Sequence, residues 1–207
     1  MGYFGRRKER RLVALEELRR ARQLVTEDVT VFGEQLAELH VETMTTDLDE
    51  DMRRDYQRAL DLYDEAKHAL TRAKATEHVA DVHAVVPVLN EGRFHLACVL
   101  ARRDGADLPQ RRQPCFFNPQ HGPAVADVPW TPPGGVERKV PVCRSDKRRL
   151  DGGEDPEIRL VRVGDRYVPW FAAERERGLL VATIGSVAVS GVPRWVMLEA
   201  DRDRLGG

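Results

Sequence analysis

Met52-Arg-Arg-Asp-Tyr56-Gln-Arg-Ala59-Leu-Asp-Leu-Tyr63-Asp-Glu-Ala66-Lys-His-Ala-Leu70-Thr-Arg-Ala73 is the stretch whose reading decides the fold. Its apolar positions, Met52, Tyr56, Ala59, Tyr63, Ala66, Leu70 and Ala73, are separated by alternating steps of four and three. That spacing lines one face of an α-helix, the pattern of a seam in which each side chain enters a gap on a facing helix. Alanines at alternate seam positions allow close backbone approach. Asp61, Asp64 and Glu65 fall on the other side and read as solvent-facing.

The facing helix lies just upstream. Leu18, Val25, Phe32 and Leu39 repeat every seven residues, and Leu15, Val29 and Leu36 form a second row with Arg22 at its gap. This predicts a helix from about Leu12 to Met44, with Gly33 as a weak point and Met1 to Arg11 as a basic leader. Thr45-Thr46-Asp47-Leu48-Asp49-Glu50-Asp51 reads as a turn and helix start, with Thr46 as the cap and acidic residues where the helix dipole favours them. A link this short makes the two helices antiparallel.

Downstream, Thr76 is expected to cap a third helix carrying Val79, Val82 and Val86. Pro87 should kink or restart it, and Leu89, Leu96, Val99 and Leu100 continue it to Asp104-Gly105. The expected fold is mainly α: an antiparallel hairpin or three-helix bundle over 12–105, then a small irregular, β-containing module rich in Pro, Cys and His. From Leu108 prolines become frequent. Extended pieces are expected at Cys115–Phe117, Val136–Val142, Arg159–Val163 and Tyr167–Phe171, with a hairpin turn at Gly164-Asp165. The module is bounded at 108–171, followed by an apolar segment and charged tail over 172–207.

Within the module, Cys115 and His121 flank an Asn118-Pro119 turn able to bring them together, and Cys143 follows an extended Val140-Pro141-Val142 piece. Zinc takes four such donors held tetrahedrally, so these three are candidate ligands, with Asp146, Cys98 or water as the fourth. The competing readings are a Cys115–Cys143 disulfide and plain burial, since cysteine is among the most buried residue types. The eight prolines from Pro109 to Pro141, with few large apolar residues in the module, argue for a staple of some kind.

The runs Asp55-Tyr-Gln-Arg-Ala-Leu60 through Leu96-Ala-Cys98, Pro114-Cys115-Phe116-Phe117-Asn118-Pro119-Gln120-His121-Gly122-Pro123, Pro132-Pro-Gly-Gly135 and Val140-Pro-Val-Cys143 resemble the accessory tail of actinobacterial TPM-domain membrane proteins. The resemblance covers most of residues 12–171, and the Cys-Phe-Phe block followed by His-Gly-Pro is its most specific part. It implies no activity and no ligand. The expectation is that this chain departs from that pattern in lacking the TPM domain and its membrane helix.

Other features exclude more than they suggest. A net charge of −1 gives no global pull on nucleic acid or acidic lipid; no nucleic-acid partner is expected, and membrane contact is not favoured. Three cysteines and a basic start without an apolar core fit a reducing cytoplasm better than secretion. Arg6–Arg11, beside Tyr3 and Phe4, leave peripheral contact with the inner face of a membrane as an alternative. Gly178–Pro193 is uncharged but short and interrupted by glycine, which favours buried strands over a spanning helix. His78 and His83, five apart, point to different sides of a helix. Pro132-Pro133-Gly134-Gly135 is a turn rather than a phosphate loop. The acids around Asp47 lack the spacing of a calcium loop.

No catalytic constellation and no organic cofactor are expected. Ser145 or Cys143 near His121 would be needed for a zinc- or thiol-dependent enzyme, the competing function class. The leading expectation is an interaction or scaffold protein with a protein partner or a second copy of itself. An apolar row at Leu12, Val13 and Leu15 is the candidate contact.

Overall fold

The computed structural model describes residues 3–44, 47–132, 135–163 and 165–177. The chain forms two units, which part between Pro109 and Gln110. The segment 178–193 lies outside the described residues.

The first unit is helical: α1 (Tyr3–Thr43), α2 (Glu50–Lys74), a short α3 (Val79–His83) and α4 (Val85–Arg103). α1 begins at Tyr3, within the basic stretch, so the expected helix start near Leu12 is corrected. Arginine, lysine and glutamate are good helix formers, and the single Gly5 does not outweigh them. The buried residues of α1 are Leu18, Ala21, Val25, Val29, Phe32, Leu36, Leu39 and Thr43. They keep the three-and-four spacing, but the row starts at Leu18. Leu15 is exposed, and the gap assigned to Arg22 is filled by Ala21. Arg22 instead donates a hydrogen bond to the Thr76 carbonyl beyond the end of α2.

On α2 the buried set is Met52, Ala59, Leu62, Ala66, Leu70 and Ala73, with Tyr56 and Tyr63 half-buried against the same core. The contacts give the directions. Tyr56 Oη lies 3.3 Å from His40 Nδ1, and the Tyr63 ring meets Phe32 edge-on at 5.9 Å. Later residues of α2 thus meet earlier residues of α1, which is antiparallel packing. Asp55 reaches both His95 and Arg102, while Leu62 lies near Gly92, so α4 also runs against α2. The result is an up-down-up bundle.

Gly33 and Gly92 are needed for close approach. A Cβ on Gly33 would lie 2.5 Å from Tyr63 Oη, and one on Gly92 would lie 2.6 Å from two ring atoms of the wholly buried Phe32. Gly33, expected as a weak point, is where Tyr63 crosses α1.

The caps differ from expectation. Asp49 caps α2, its carboxylate accepting from Met52 N at 2.7 Å. Thr46 lies outside the described residues. Thr76 does not cap α3; His78 stands there without a side-chain bond, and Thr76 Oγ1 donates back to Ala73 O at 3.2 Å. Pro87 sits in the first turn of α4, where its missing amide has no helical partner to lose. Gly105, at φ 61°, ends α4 in the left-handed conformation that suits glycine. The stretch Val79–Arg103 is long and apolar enough to cross a membrane, and half of its apolar window is buried inside the protein.

The second unit holds two antiparallel hairpins, β1 (Ala126–Trp130) with β2 (Arg138–Val142) and β3 (Leu160–Val163) with β4 (Arg166–Pro169). Between them lies α5 (Arg144–Asp151), and α6 (Trp170–Arg177) follows β4. Cys115–Phe117 is not a strand; only an isolated bridge joins Pro114 to Pro123. β1 and α5 are additional to the expected elements. Trp170 and Phe171 start α6 rather than ending a strand. Gly164 lies outside the described residues. Pro129 and Pro141 share one phase of the β1–β2 ladder, opposite Lys139 and Asp127. A two-stranded sheet has free edges that tolerate their missing donors.

The apolar centre is aromatic. Phe116 stacks on Phe171 at 4.7 Å, Phe117 meets Trp130 edge-on, and the Arg138 guanidinium lies over Phe116 and Trp130 at 4.8 and 5.3 Å. Tyr167 is exposed.

Candidate metal centre

Two local motifs build the site. In the first, Asn118 Oδ1 accepts from Gln120 N at 3.0 Å and fixes a single 3-10 turn over Pro119–His121. Gly122 follows at φ 85°, a value L side chains rarely adopt, and its carbonyl accepts from Cys115 N at 3.0 Å. The loop therefore closes on itself and sets Cys115 beside His121. Phe116 N donates to Pro141 O at 2.8 Å, tying the loop to β2.

The second motif begins where β2 ends. Cys143 is the N-cap of α5, and its Sγ accepts from Asp146 N at 3.4 Å. A cap residue and the residue three further on point the same way, as in a capping box. Sulfur and carboxylate thereby enter the site together. Cys115 and Asp146 are wholly buried, Cys143 nearly so, and His121 is mostly covered.

Asp146 Oδ2 is the hub. It lies 3.1 Å from Cys115 Sγ, 3.4 Å from Cys143 Sγ and 3.0 Å from His121 Nδ1. Cys143 Sγ is 3.6 Å from His121 Nδ1, and all four donor atoms lie within 4.8 Å of one another. Donors at about 2.0–2.3 Å from a tetrahedral metal stand roughly 3.3–3.8 Å apart. The separations of 3.0–3.6 Å among four of the six pairs lie at or just below that range, so these four side chains could hold a metal ion.

A second layer orients them. Asp146 Oδ1 accepts from Glu157 N at 2.9 Å, and the Glu157 carboxylate stands 3.6 Å from His121 Nε2. Metal-ligating histidines usually present their other nitrogen to such a group, which fixes the ring. Trp170 Nε1 donates to Phe116 O at 2.8 Å, and Arg159 N donates to Phe117 O at 3.0 Å, holding the first loop in place.

The protonation balance follows from burial and contact. Burial opposes charge on His121, but Asp146 and Cys115 outweigh it and push the imidazole up to about 10. Burial likewise opposes charge on Asp146, yet His121, the Glu157 amide and Cys115 bring it down to about 2. The hydrogen bond between the two thiols pushes Cys115 up, with burial adding to it, and the same bond pulls Cys143 down. Without metal, the arrangement is an imidazolium paired with a buried carboxylate.

Of the alternatives for the fourth position, Asp146 is the residue placed beside the other three. Cys98 is buried on α4 of the helical unit. All three cysteines are free thiols, so Cys115–Cys143 is not a disulfide in this state. Ser145 lies on the exposed side of α5. His78 is exposed, and burial pushes His83 down. Asp49 and Asp51 serve the start of α2, as its cap and as a partner of Arg54. Gly135 N donates to Pro132 O, and Pro133 and Gly134, read as a turn from the sequence, lie outside the described residues.

Two groups have no warning in the sequence pattern. Glu157 belongs to an acidic loop whose composition suggests only solvation. Asp55, which bridges His95 at 2.7 Å and also binds Arg102, looks like an ordinary polar residue of an exposed helix face. Glu91 approaches the other nitrogen of His95 at 3.2 Å, so this network ties α2 to α4.

No family model, no curated protein and no solved structure matches the chain.

Proposed function

We propose that the protein is a non-enzymatic interaction module whose second unit is held by a structural zinc ion on Cys115, His121, Cys143 and Asp146. The observation that carries this reading is the convergence of four buried or mostly covered donors from two separately fixed motifs. Four protein ligands complete a tetrahedral shell, the habit of structural zinc, whereas catalytic zinc keeps a position for water. Two thiolates and an imidazole favour zinc over harder cations such as calcium or magnesium.

The interaction surface in this reading is the first part of α1. Within the helical unit, α2 ends near Arg22, and α1 continues past it. Leu12, Val13 and Leu15 are 59%, 54% and 45% exposed there. A second copy of the chain is the proposed occupant, with a two-fold contact between the overhanging turns. The reading places the protein in a reducing cytoplasm, where thiols stay available for metal.

Cobalt substitution tests the metal reading. The expected result is one tetrahedral cobalt(II) per chain with sulfur-to-metal charge-transfer absorption, unchanged by added anions. A spectrum that shifts on adding azide would show an open position and favour the enzyme class.

A further inference from the structure

The metal reading above leaves a question that the donor set answers: what removes the ion. We propose that Cys115 and Cys143 are a redox-controlled clasp, in which a peroxide converts the metal-bound thiolates to a disulfide and releases the metal. The inference rests on the proposed zinc site and adds its regulation.

Three observations carry it. First, the two sulfurs belong to one cluster, within 4.8 Å of each other, and both are free. Zinc bonds of about 2.3 Å hold two sulfurs roughly 3.8 Å apart. A disulfide needs about 2.05 Å, so the sulfurs have less than 3 Å further to approach once the ion leaves. Second, these are the sulfurs of the site and there is no third; Cys98 lies on α4 of the other unit. Oxidation therefore removes half of the ligands in one event. The remaining His121 Nδ1 and Asp146 Oδ2 cannot retain zinc against water. Third, the residue left behind is not stranded. Asp146 keeps His121 at 3.0 Å and the Glu157 amide at 2.9 Å, so its buried carboxylate stays compensated. The disulfide also joins the two segments that the metal joins, the Cys115–Gly122 loop and the start of α5. One staple thus replaces the other.

The chemistry balances with hydrogen peroxide as the oxidant. The two zinc-bound thiolates give up two electrons and form the S–S bond. The peroxide O–O bond breaks, takes those electrons and two protons from solvent, and leaves as two waters. Zinc departs as the free dication. A dithiol reductant reverses the change by thiol–disulfide exchange, and added zinc refills the site.

The test uses the full chain carrying Cys98→Ser, loaded with zinc and treated with hydrogen peroxide beside a chromogenic zinc chelator. The expected result is one zinc released for each disulfide formed, with the protein lighter by two hydrogens, and recovery on adding dithiothreitol and zinc. Peptide mapping of the unaltered chain gives the same reading if Cys98→Ser impairs folding. Retention of zinc and thiols under peroxide overturns the clasp and leaves the metal site standing. Release accompanied by oxygen-bearing sulfur products instead of a disulfide also overturns it. A chain that takes up no zinc at the loading step defeats the clasp and the metal site together.

Discussion

Cys143 Sγ accepts the backbone amide of Asp146 at 3.4 Å, and Asp146 Oδ2 returns to lie 3.4 Å from the same sulfur. The cap of α5 and one edge of the candidate metal site are therefore a single feature. Losing either residue should disturb both. Cys143→Ser keeps an N-cap acceptor, since serine is a good cap, but removes a thiolate. Asp146→Asn keeps the shape and removes the charge. Both variants should lose zinc, while Cys143→Ser should keep α5 better than Cys143→Ala. The comparison can be read from zinc content and amide hydrogen exchange across 144–151. Equal loss of protection in the serine and alanine variants would show that capping does not matter there.

Zinc affinity should rise with pH across the neutral range. His121 is raised from 6.5 to about 10 and Cys115 is also raised, so a metal must displace a proton from each. The metal-free module depends on pH in opposite senses at its two limits. A raised His121 contributes stability that is complete below 6.5 and lost as pH climbs through about 10. A lowered Asp146 contributes stability that is complete above 3.8 and lost as pH falls through about 2. Chelator-stripped protein should thus be most stabilised by this pair between those limits. Denaturation across pH, with and without zinc, checks both signs; an affinity independent of pH would contradict the proton displacement.

Glu157→Gln should weaken zinc binding by about 10–100-fold, the usual effect of removing a carboxylate behind a histidine ligand. The backbone amide that supports Asp146 survives the change. Competition with a chelator of known affinity measures the effect. An unchanged affinity would show that the 3.6 Å approach to His121 Nε2 does no orienting.

The helical seam should respond to volume. Phe32→Ala should cost about 3–5 kcal/mol and Leu70→Ala about 2–5 kcal/mol in chemical denaturation. Gly92→Ala errs in the other direction, pressing a methyl group into the Phe32 ring, and should cost roughly 1–3 kcal/mol. Gly33→Ala should also destabilise, since its Cβ would meet Tyr63 Oη at 2.5 Å and Cζ at 2.8 Å; adding Tyr63→Phe removes only the first contact and should relieve only part of the loss. Losses within error of zero at Phe32 and Leu70 would defeat the packing described.

Self-association should depend on the overhang of α1. Leu12→Glu with Leu15→Glu should convert a dimer to a monomer without loss of helix, since both residues are exposed within the chain. Sedimentation equilibrium at high micromolar concentration reads it. A monomeric parent protein would rule the contact out.

The bundle was legible because α2 carries its spacing without an error over Met52–Ala73, and spacing alone sets which face is buried. The start of α1 was less so. Heptad counting cannot tell Leu15 from Leu18, because where a seam begins depends on where the facing helix ends. The module resisted for a different reason. Its prolines exclude long helix, but the short Arg144–Asp151 contains none and carries its own cap. β1 was hidden by Pro129, which a two-stranded sheet accommodates. Cys115, His121, Cys143 and Asp146 were readable as metal-donor types, and the Asn118-Pro119 turn gave a reason for the first pair to meet. Glu157 was not readable, since its role comes from a fold-back across eleven residues to Asp146.

Native mass spectrometry of the full chain is the most direct test of the central claim. One zinc ion per chain is the expected result, absent from Cys115→Ser, Cys143→Ser and Asp146→Asn and retained in Cys98→Ser. A parent protein without metal after expression with zinc, or one whose metal survives loss of Asp146, would contradict it.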